Sequence, residues 1–525
     1  MRLLFVTSEC AGLAKAGGLG EVSAGLPRAL RRAGVDVRIM MPAYKEVLAR
    51  LDCLGHEIRW KGRLAERASI PSCRLGETVT PTGTPLYLVA APGLYDRIGT
   101  PYARPDGGDW PDNHLRFARL SLAAAEVAQG RGGLGWAPEV VHANDWPGGL
   151  AAAYLNWDGS RVPTVMTVHN IAYQGIYEAG QRGMLGIPDH AFGIEGVEFH
   201  GAISFLKAGL YYASHVTTVS PSYAREITME AFGAGLHGLM RTRSALGQLS
   251  GIANGIDESW DPASSPNLPR HFDADDLQGK RALANTVREV LCLAPSDGPL
   301  FGVVSRLVHQ KGLDLVAENA DHIVDSGGQI ALLGLGDPEV EQMLTGMSRR
   351  HRDNIGVLIG FNAAMEHRIL GGSDFCLMPS RFEPCGLTQM HAQRYGALPI
   401  AHATGGLADT IEDGRTGFLF TEFSGAALKD ACGRAFEAFA ENERLEEMRQ
   451  AAMARDFSWS DAAVHYRSLY RDLIGRGASG PASPAQRTRA TVRPAVSRVS
   501  PDTILDSQLE ERLLAGYGRF LHYPG

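Results

Sequence analysis

Short apolar runs bounded by polar residues recur along the chain, alternating with stretches whose apolar residues return every three or four positions. Residues 3–7 form the first such run and predict a buried strand. After it, Val22, Leu26 and Leu30 fall four apart, the spacing of one helix face, in a stretch reaching Arg32. Pro27 lies inside that stretch and is expected to interrupt or kink the helix. Residues 35–40 read as a second strand, so the chain opens with strand, Gly-rich loop, helix, strand, the start of a doubly wound α/β domain. Further strands are expected at 86–90, 140–142, 164–168 and 216–219, and helices at 113–128, 204–213 and 221–229. Residues 50–85 carry strand and turn signals that assign no definite element.

Residues 261–275 are rich in Pro, Ser and Asp and read as a linker. A second α/β series follows, with strands at 300–304, 329–333, 355–359 and 374–378 and helical patterns between them. Gly405-Gly406-Leu407 echoes Gly17-Gly18-Leu19 of the first loop. Two such turns in two α/β halves predict an α/β fold of two Rossmann-like doubly wound domains facing a cleft. The expected division is 1–250 and 251–455, with a helix at 456–475 that packs back on the N-terminal domain. Residues 476–525 read as a disordered basic linker rich in Ala, Pro and Ser, with a possible short helix at 502–514.

Composition narrows the class without naming a chemistry. Apolar residues make up 44% of the 525 and charged residues 21%, as in an ordinary globular protein. The net charge of −7 disfavours non-specific nucleic-acid binding. Seven scattered cysteines, with no C-x-x-C pair, argue against a zinc knuckle or a disulfide framework and for a reducing compartment. No apolar run has the length of a membrane span or a signal peptide, so a cytoplasmic protein off the membrane is expected.

Candidate chemistry gathers where strands end. Residues 379–388 read Pro-Ser-Arg-Phe-Glu-Pro-Cys-Gly-Leu-Thr and join an apolar strand to a helix-compatible run. The loop combines the Glu383 carboxylate, a φ-fixing Pro384 and a permissive Gly386, and such a junction turns backbone N–H groups toward an anion. Asp145 and His169 stand at two successive strand ends, where open α/β sheets collect ligands. A capping Asp and a hydrogen-bonded loop His would look the same. Arg306 and Lys311 follow the first strand of the second series and could meet one diphosphate, or be solvated surface cations. Lys15 beside Gly17-Gly18 could face a phosphate or sugar, or be a solvated lysine on a tight turn. Tyr95 sits in a loop expected after the 86–90 strand.

Taken together these motifs resemble the bacterial glycogen synthases and plant starch synthases, retaining glycosyltransferases of the two-Rossmann-domain (GT-B) type. The matching stretches are Lys15-Ala16-Gly17-Gly18-Leu19, the strand ends at 142–146 and 167–175, residues 205–210, Asn254-Gly255-Ile256-Asp257, the segments 304–307 and 310–314, and the 379–388 loop. The resemblance covers roughly residues 1 to 475. It implies transfer of glucose from ADP-glucose to the non-reducing end of an α-1,4-glucan such as glycogen, with no cofactor and no metal. It further implies that Arg306 and Lys311 hold the diphosphate, and that N–H groups around Cys385, Gly386, Leu387 and Thr388 cap the distal phosphate. Lys15 and Gly18 would face the diphosphate and sugar; His169 and Asp145 would line the glucose pocket with Asn254 and Tyr95 among the substrate contacts; Glu383 would bind sugar hydroxyls. Phe361 would pack on adenine. The chain departs from the family at Ala16, at Gly20-Glu21 where Ala-Asp is usual, at Asn144 where His is frequent, and at Phe361 in place of Tyr. Another nucleotide-sugar enzyme of the same architecture, or a catalytically inactive glucan-binding protein, are the competing functions. Oligomeric state is not legible.

Overall fold

A computed structural model describes residues 1–478. The possible helix at 502–514, and all but the first residues of the expected basic linker, lie outside the described residues. In chain order the strands are β1 (Arg2–Val6), β2 (Asp36–Pro42), β3 (Arg59–Leu64), β4 (Cys73–Val79), β5 (Pro85–Ala90), β6 (Val140–Asn144) and β7 (Thr164–Val168). There follow β8 (Ile176–Glu178), β9 (Glu198–Phe199), β10 (Ala202–Ser204), β11 (His215–Thr218) and β12 (Leu249–Gly251). The last six are β13 (Leu300–Leu307), β14 (Gln329–Gly336), β15 (Ile355–Ile359), β16 (Phe375–Met378), β17 (Leu398–His402) and β18 (Phe418–Phe420).

The first sheet has nine strands in the order β12-β11-β7-β6-β1-β2-β5-β4-β3. β1 runs parallel to β2 and to β6, with Leu3 opposite Val37 and Val140. The segment at 50–85 becomes the antiparallel ribbon β3–β4, which pairs antiparallel with β5 at the sheet edge. A small sheet β8-β10-β9 is antiparallel. The third sheet has six strands in the order β15-β14-β13-β16-β17-β18, all parallel. Numbered within its own half this is 3-2-1-4-5-6, the Rossmann order. Both its faces are covered, so its strands are apolar without alternation: Ile330 and Leu332 enter one core cluster, Ala331 and Leu333 the other.

The chain forms two compact units. One comprises Met1–Met166, Tyr173–Ser214 and the described residues from Arg467 to Ala478; the other comprises Thr167–Ala172 and His215–Tyr466. The helix Trp459–Ala478 enters the first unit at Arg467, which donates to the Ala33 carbonyl, while Tyr470 hydrogen-bonds buried His142 at 2.7 Å.

Two expectations change. The helix Gly18–Arg32 runs unbroken through Pro27. The Ser23 carbonyl, which an N–H at position 27 would have bonded, instead faces the Cys10 thiol at 3.8 Å. Burial pushes that thiol up to about 12, so it keeps the proton it offers. Residues 261–275 form no free linker: Leu268 and Phe272 are buried, as is Trp260 just before them.

Candidate active site

In open α/β sheets ligands gather where strand order reverses. In the six-stranded sheet that point lies between neighbours β13 and β16. Arg306 stands near the carboxyl end of β13, Lys311 in the short turn His309–Lys311 after it, and residues 379–388 follow β16. Strand order therefore brings together two segments that the sequence separates by some seventy residues. Lys311 Nζ donates to Glu383 Oε2 at 2.5 Å, and Ser380 Oγ donates to the same oxygen at 3.0 Å. Both charged groups are largely enclosed, with side-chain exposures of 16% and 7%. Lys311 can take this position because Gly312, at φ +63°, turns the chain where a Cβ would lie 1.9 Å from the Pro379 carbonyl. The loop is braced from the same side: Arg381 N donates to Gln310 O, Gln310 Nε2 to Phe382 O, and the Arg381 guanidinium to Asp314 at 2.5 Å. Arg306 is exposed and lies close enough to Asp337 to lower its carboxyl pKa, although burial of Asp337 is the larger influence and raises it.

Beyond Glu383 the loop interlocks with the second Gly-Gly turn. Gly406 N donates to Glu383 O at 3.0 Å. A Cβ on Gly405 would lie 1.9 Å from Glu383 O, and one on Gly406 2.0 Å from Cys385 O, so only glycine permits this approach. Gly386 takes φ +67°, and the helix Thr388–Arg394 begins two residues later. Among the described residues the N–H groups of Gly386, Leu387 and Thr388 bond no protein acceptor. Asn254 is buried and hydrogen-bonds Cys385, whose thiol burial pushes up to about 12. Phe361 follows β15 and Gly360 and is 74% exposed.

His169 directly follows β7 and is half-buried; desolvation pushes its imidazole down to about 3, so it is neutral at ordinary pH. In the first unit the strand order reverses between β1 and β6. The Lys15–Gly18 loop follows β1, and Asp145 follows β6 at φ +51°, a left-handed conformation unusual outside glycine. Gly18 opens the helix Gly18–Arg32, and Lys15 Nζ donates to Glu21 at 2.6 Å.

One expectation is corrected. Tyr95 is 1% exposed, with its hydroxyl donating to the Arg116 carbonyl at 2.5 Å and its ring edge-on to Tyr44. The loop at 93–97 folds over the helix Asn113–Ala128, which makes Tyr95 a core residue and not a substrate contact.

Two groups that brace these loops, each within its own unit, are not evident from the sequence. Glu9, buried at the end of β1, accepts the N–H groups of Ala16 at 2.6 Å and Gly17 at 2.8 Å and the Tyr102 hydroxyl at 2.5 Å. An acidic residue between a first strand and a Gly-rich loop was the available signal. Ser380, inside the 379–388 loop, could have been suspected from its position three residues before Glu383. Among the described residues no group of three or more His, Cys, Asp or Glu is arranged to hold a metal ion.

This architecture is that of the GT-B glycosyltransferases. The catalytic domain of starch synthase IV from Arabidopsis thaliana, solved with ADP and acarbose, superposes with a TM-score of 0.78 at 31% identity, over 90% of this chain and 99% of that one. Residues 2–242 match the starch synthase catalytic domain model and residues 293–454 the model of glycosyl transferases group 1. The glycogen synthase of Pseudomonas putida is 52% identical over 473 residues, 90% of each chain. Glycogen synthase 1 of Bradyrhizobium diazoefficiens is 53% identical over 459 residues, 87% of this chain and 98% of its own. The chain belongs to the bacterial glycogen synthase and plant starch synthase family. It is an enzyme, a glycosyltransferase of the glycogen synthase class.

Proposed function

We propose that the 379–388 loop binds the glucosyl diphosphate of ADP-glucose, and that the glucose passes to the non-reducing 4-OH of an α-1,4-glucan with its configuration retained. The observation that carries this is the Lys311–Glu383 pair set beside the interlocked glycine turns. Breaking the glycosyl–phosphate bond leaves added negative charge on ADP and positive charge on the sugar. Arg306, Lys311 and the N–H groups of Gly386, Leu387 and Thr388 are fixed donors for the first, which need not reorganise as the bond breaks. Glu383 answers the second. Its Oε2 is held by Lys311 and Ser380, which leaves Oε1 for a sugar hydroxyl. Its role is to orient the sugar and stabilise charge, while the leaving phosphate deprotonates the acceptor on the same face. Neutral His169 and Asp145 contact the glucose, Asn254 supports the Cys385 end of the loop, Lys15 and Gly18 meet the diphosphate, and Phe361 stacks on adenine. ADP-glucose is a substrate, and the reaction takes no cofactor or metal.

A cytoplasmic setting is supported by seven free cysteines, five of them buried. Among the described residues no helix is long and apolar enough to cross a membrane. The test of the Glu383 role is mass spectrometry of the Glu383→Gln and parent enzymes during turnover. The expected result is slow transfer with no glucosyl adduct on the protein; a trapped, chemically rescuable adduct would make Glu383 or a neighbour a nucleophile.

A further inference from the structure

The interlocked turns are themselves held from behind by one short segment. Ser220 precedes the helix Pro221–Glu226, and its hydroxyl donates to the Pro384 carbonyl at 2.7 Å, deep in the protein. Ser222, two residues on, donates from its N–H at 2.8 Å and its hydroxyl at 2.6 Å to the Asp409 carboxylate. At the end of the helix, Glu226 Oε1 accepts the Thr404 hydroxyl at 3.0 Å and the Gly405 N–H at 2.8 Å. One six-residue helix and its leading serine therefore grip both glycine turns, the first at the residue after Glu383 and the second at the glycine packed on Glu383 O. Gly251 packs against the Ser220 backbone so closely that a Cβ there would meet the Ser220 carbonyl at 2.2 Å.

Resting on the phosphate role proposed above for residues 386–388, we infer that Ser220 and Glu226 are positioning residues for that site. Neither touches the donor. Ser220 fixes the Pro384 peptide, which sets where the chain enters the left-handed turn at Gly386 and hence where the next three N–H groups point. Glu226 fixes Thr404-Gly405, which sets how far Glu383 O and Cys385 O can move. A misplacement of about 1 Å in such an array can cost up to about a hundredfold in rate. The glucan acceptor makes no demand on these bonds.

The experiment is steady-state kinetics of Ser220→Ala, Ser220→Thr, Glu226→Ala and Glu226→Gln in the full-length enzyme. ADP-glucose and glycogen are varied separately, and Arg306→Ala is run in parallel. Thr and Gln keep the hydroxyl donor and the Oε1 acceptor. The expected result is a loss of about tenfold or more in kcat for the alanine variants, an unchanged KM for glycogen, and recovery of most of the loss in Thr and Gln. Alanine variants that are folded and keep the parental kcat would overturn the inference, as would Thr and Gln variants damaged as badly as Ala. Should Glu226→Ala fail to fold, Ser220→Ala and the two conservative variants decide. Arg306→Ala with undiminished kcat/KM for ADP-glucose would overturn the diphosphate site itself and the inference with it. Arg306→Ala impaired while the Ser220 and Glu226 variants are not would overturn the inference alone.

Discussion

Glu383 is held in place by protein groups alone, and the two cations proposed for the diphosphate differ in what else they do. Lys311 is enclosed and paired with Glu383; Arg306 is exposed. Removing either should cost roughly 3 kcal/mol of transition-state stabilisation, by analogy with loss of an oxyanion-hole donor. Lys311→Ala also strands the enclosed Glu383 carboxylate, worth about 3–5 kcal/mol of folding stability when one partner of a buried pair is deleted. Thermal unfolding should therefore separate them: a larger fall in Tm for Lys311→Ala, whose partner Glu383 is enclosed, than for Arg306→Ala, whose neighbour Asp337 is half-buried, with both slow. Gly405→Ala is more severe, since its methyl group would meet backbone, not a movable side chain, at 1.9 Å. Loss of turnover is expected there, read by kcat on whatever protein folds. His169 gives a pH prediction. With its imidazole pushed down to about 3, it carries no ionisation between pH 5 and 8. The pH profile of kcat should show no inflection in that range that His169→Gln removes.

At the scale of elements, the segment around residue 260 works as a clamp. The Trp260 indole lies between the imidazoles of His367 and His391, nearly parallel to both, at centroid distances of 3.8 and 3.6 Å. His367 also bonds the Tyr395 hydroxyl at 2.7 Å. This stack ties the helices Ala363–Gly372 and Thr388–Arg394, the second of which starts at the end of the 379–388 loop. Burial pushes His367 down from 6.5 to about 4. The unfolded chain then binds a proton in this window that the folded one refuses, so the stabilisation is full above pH 6.5 and is lost as pH falls toward 4. Urea unfolding followed by Trp fluorescence should show that fall, and His367→Phe should flatten it. The same segment shows why some structure was illegible. Pro, Ser and Asp at 261–275 signal a linker, and nothing local announces that Trp260 is clamped by histidines more than a hundred residues away. Residues 50–85 were opaque because β3 is an exposed edge strand, with Arg59, Lys61 and Arg63 along it and no apolar run. The parallel strands at 3–7, 140–142 and 300–304 were plain because burial on both faces makes them continuously apolar. Glu383, Arg306 and Lys311 were visible as residue types at strand ends. The Ser220–Pro384 bond, between residues 164 apart, was not.

Across the whole molecule, two sheets share one rule of assembly. Each places a Gly-rich or cationic turn after its first strand and a polar loop after the strand beside it, at the point where strand order reverses. Family membership supplies the class: glycogen synthase. The most direct test of the proposed reaction is incorporation of labelled glucose into glycogen from ADP-glucose and from UDP-glucose at equal concentrations, with the product digested by an α-1,4-specific exo-hydrolase. The expected result is α-1,4-linked label that comes predominantly from ADP-glucose and falls away in Arg306→Ala. Preference for UDP-glucose, incorporated label that resists the α-1,4-specific hydrolase, or glycogen binding with no ADP released would contradict it.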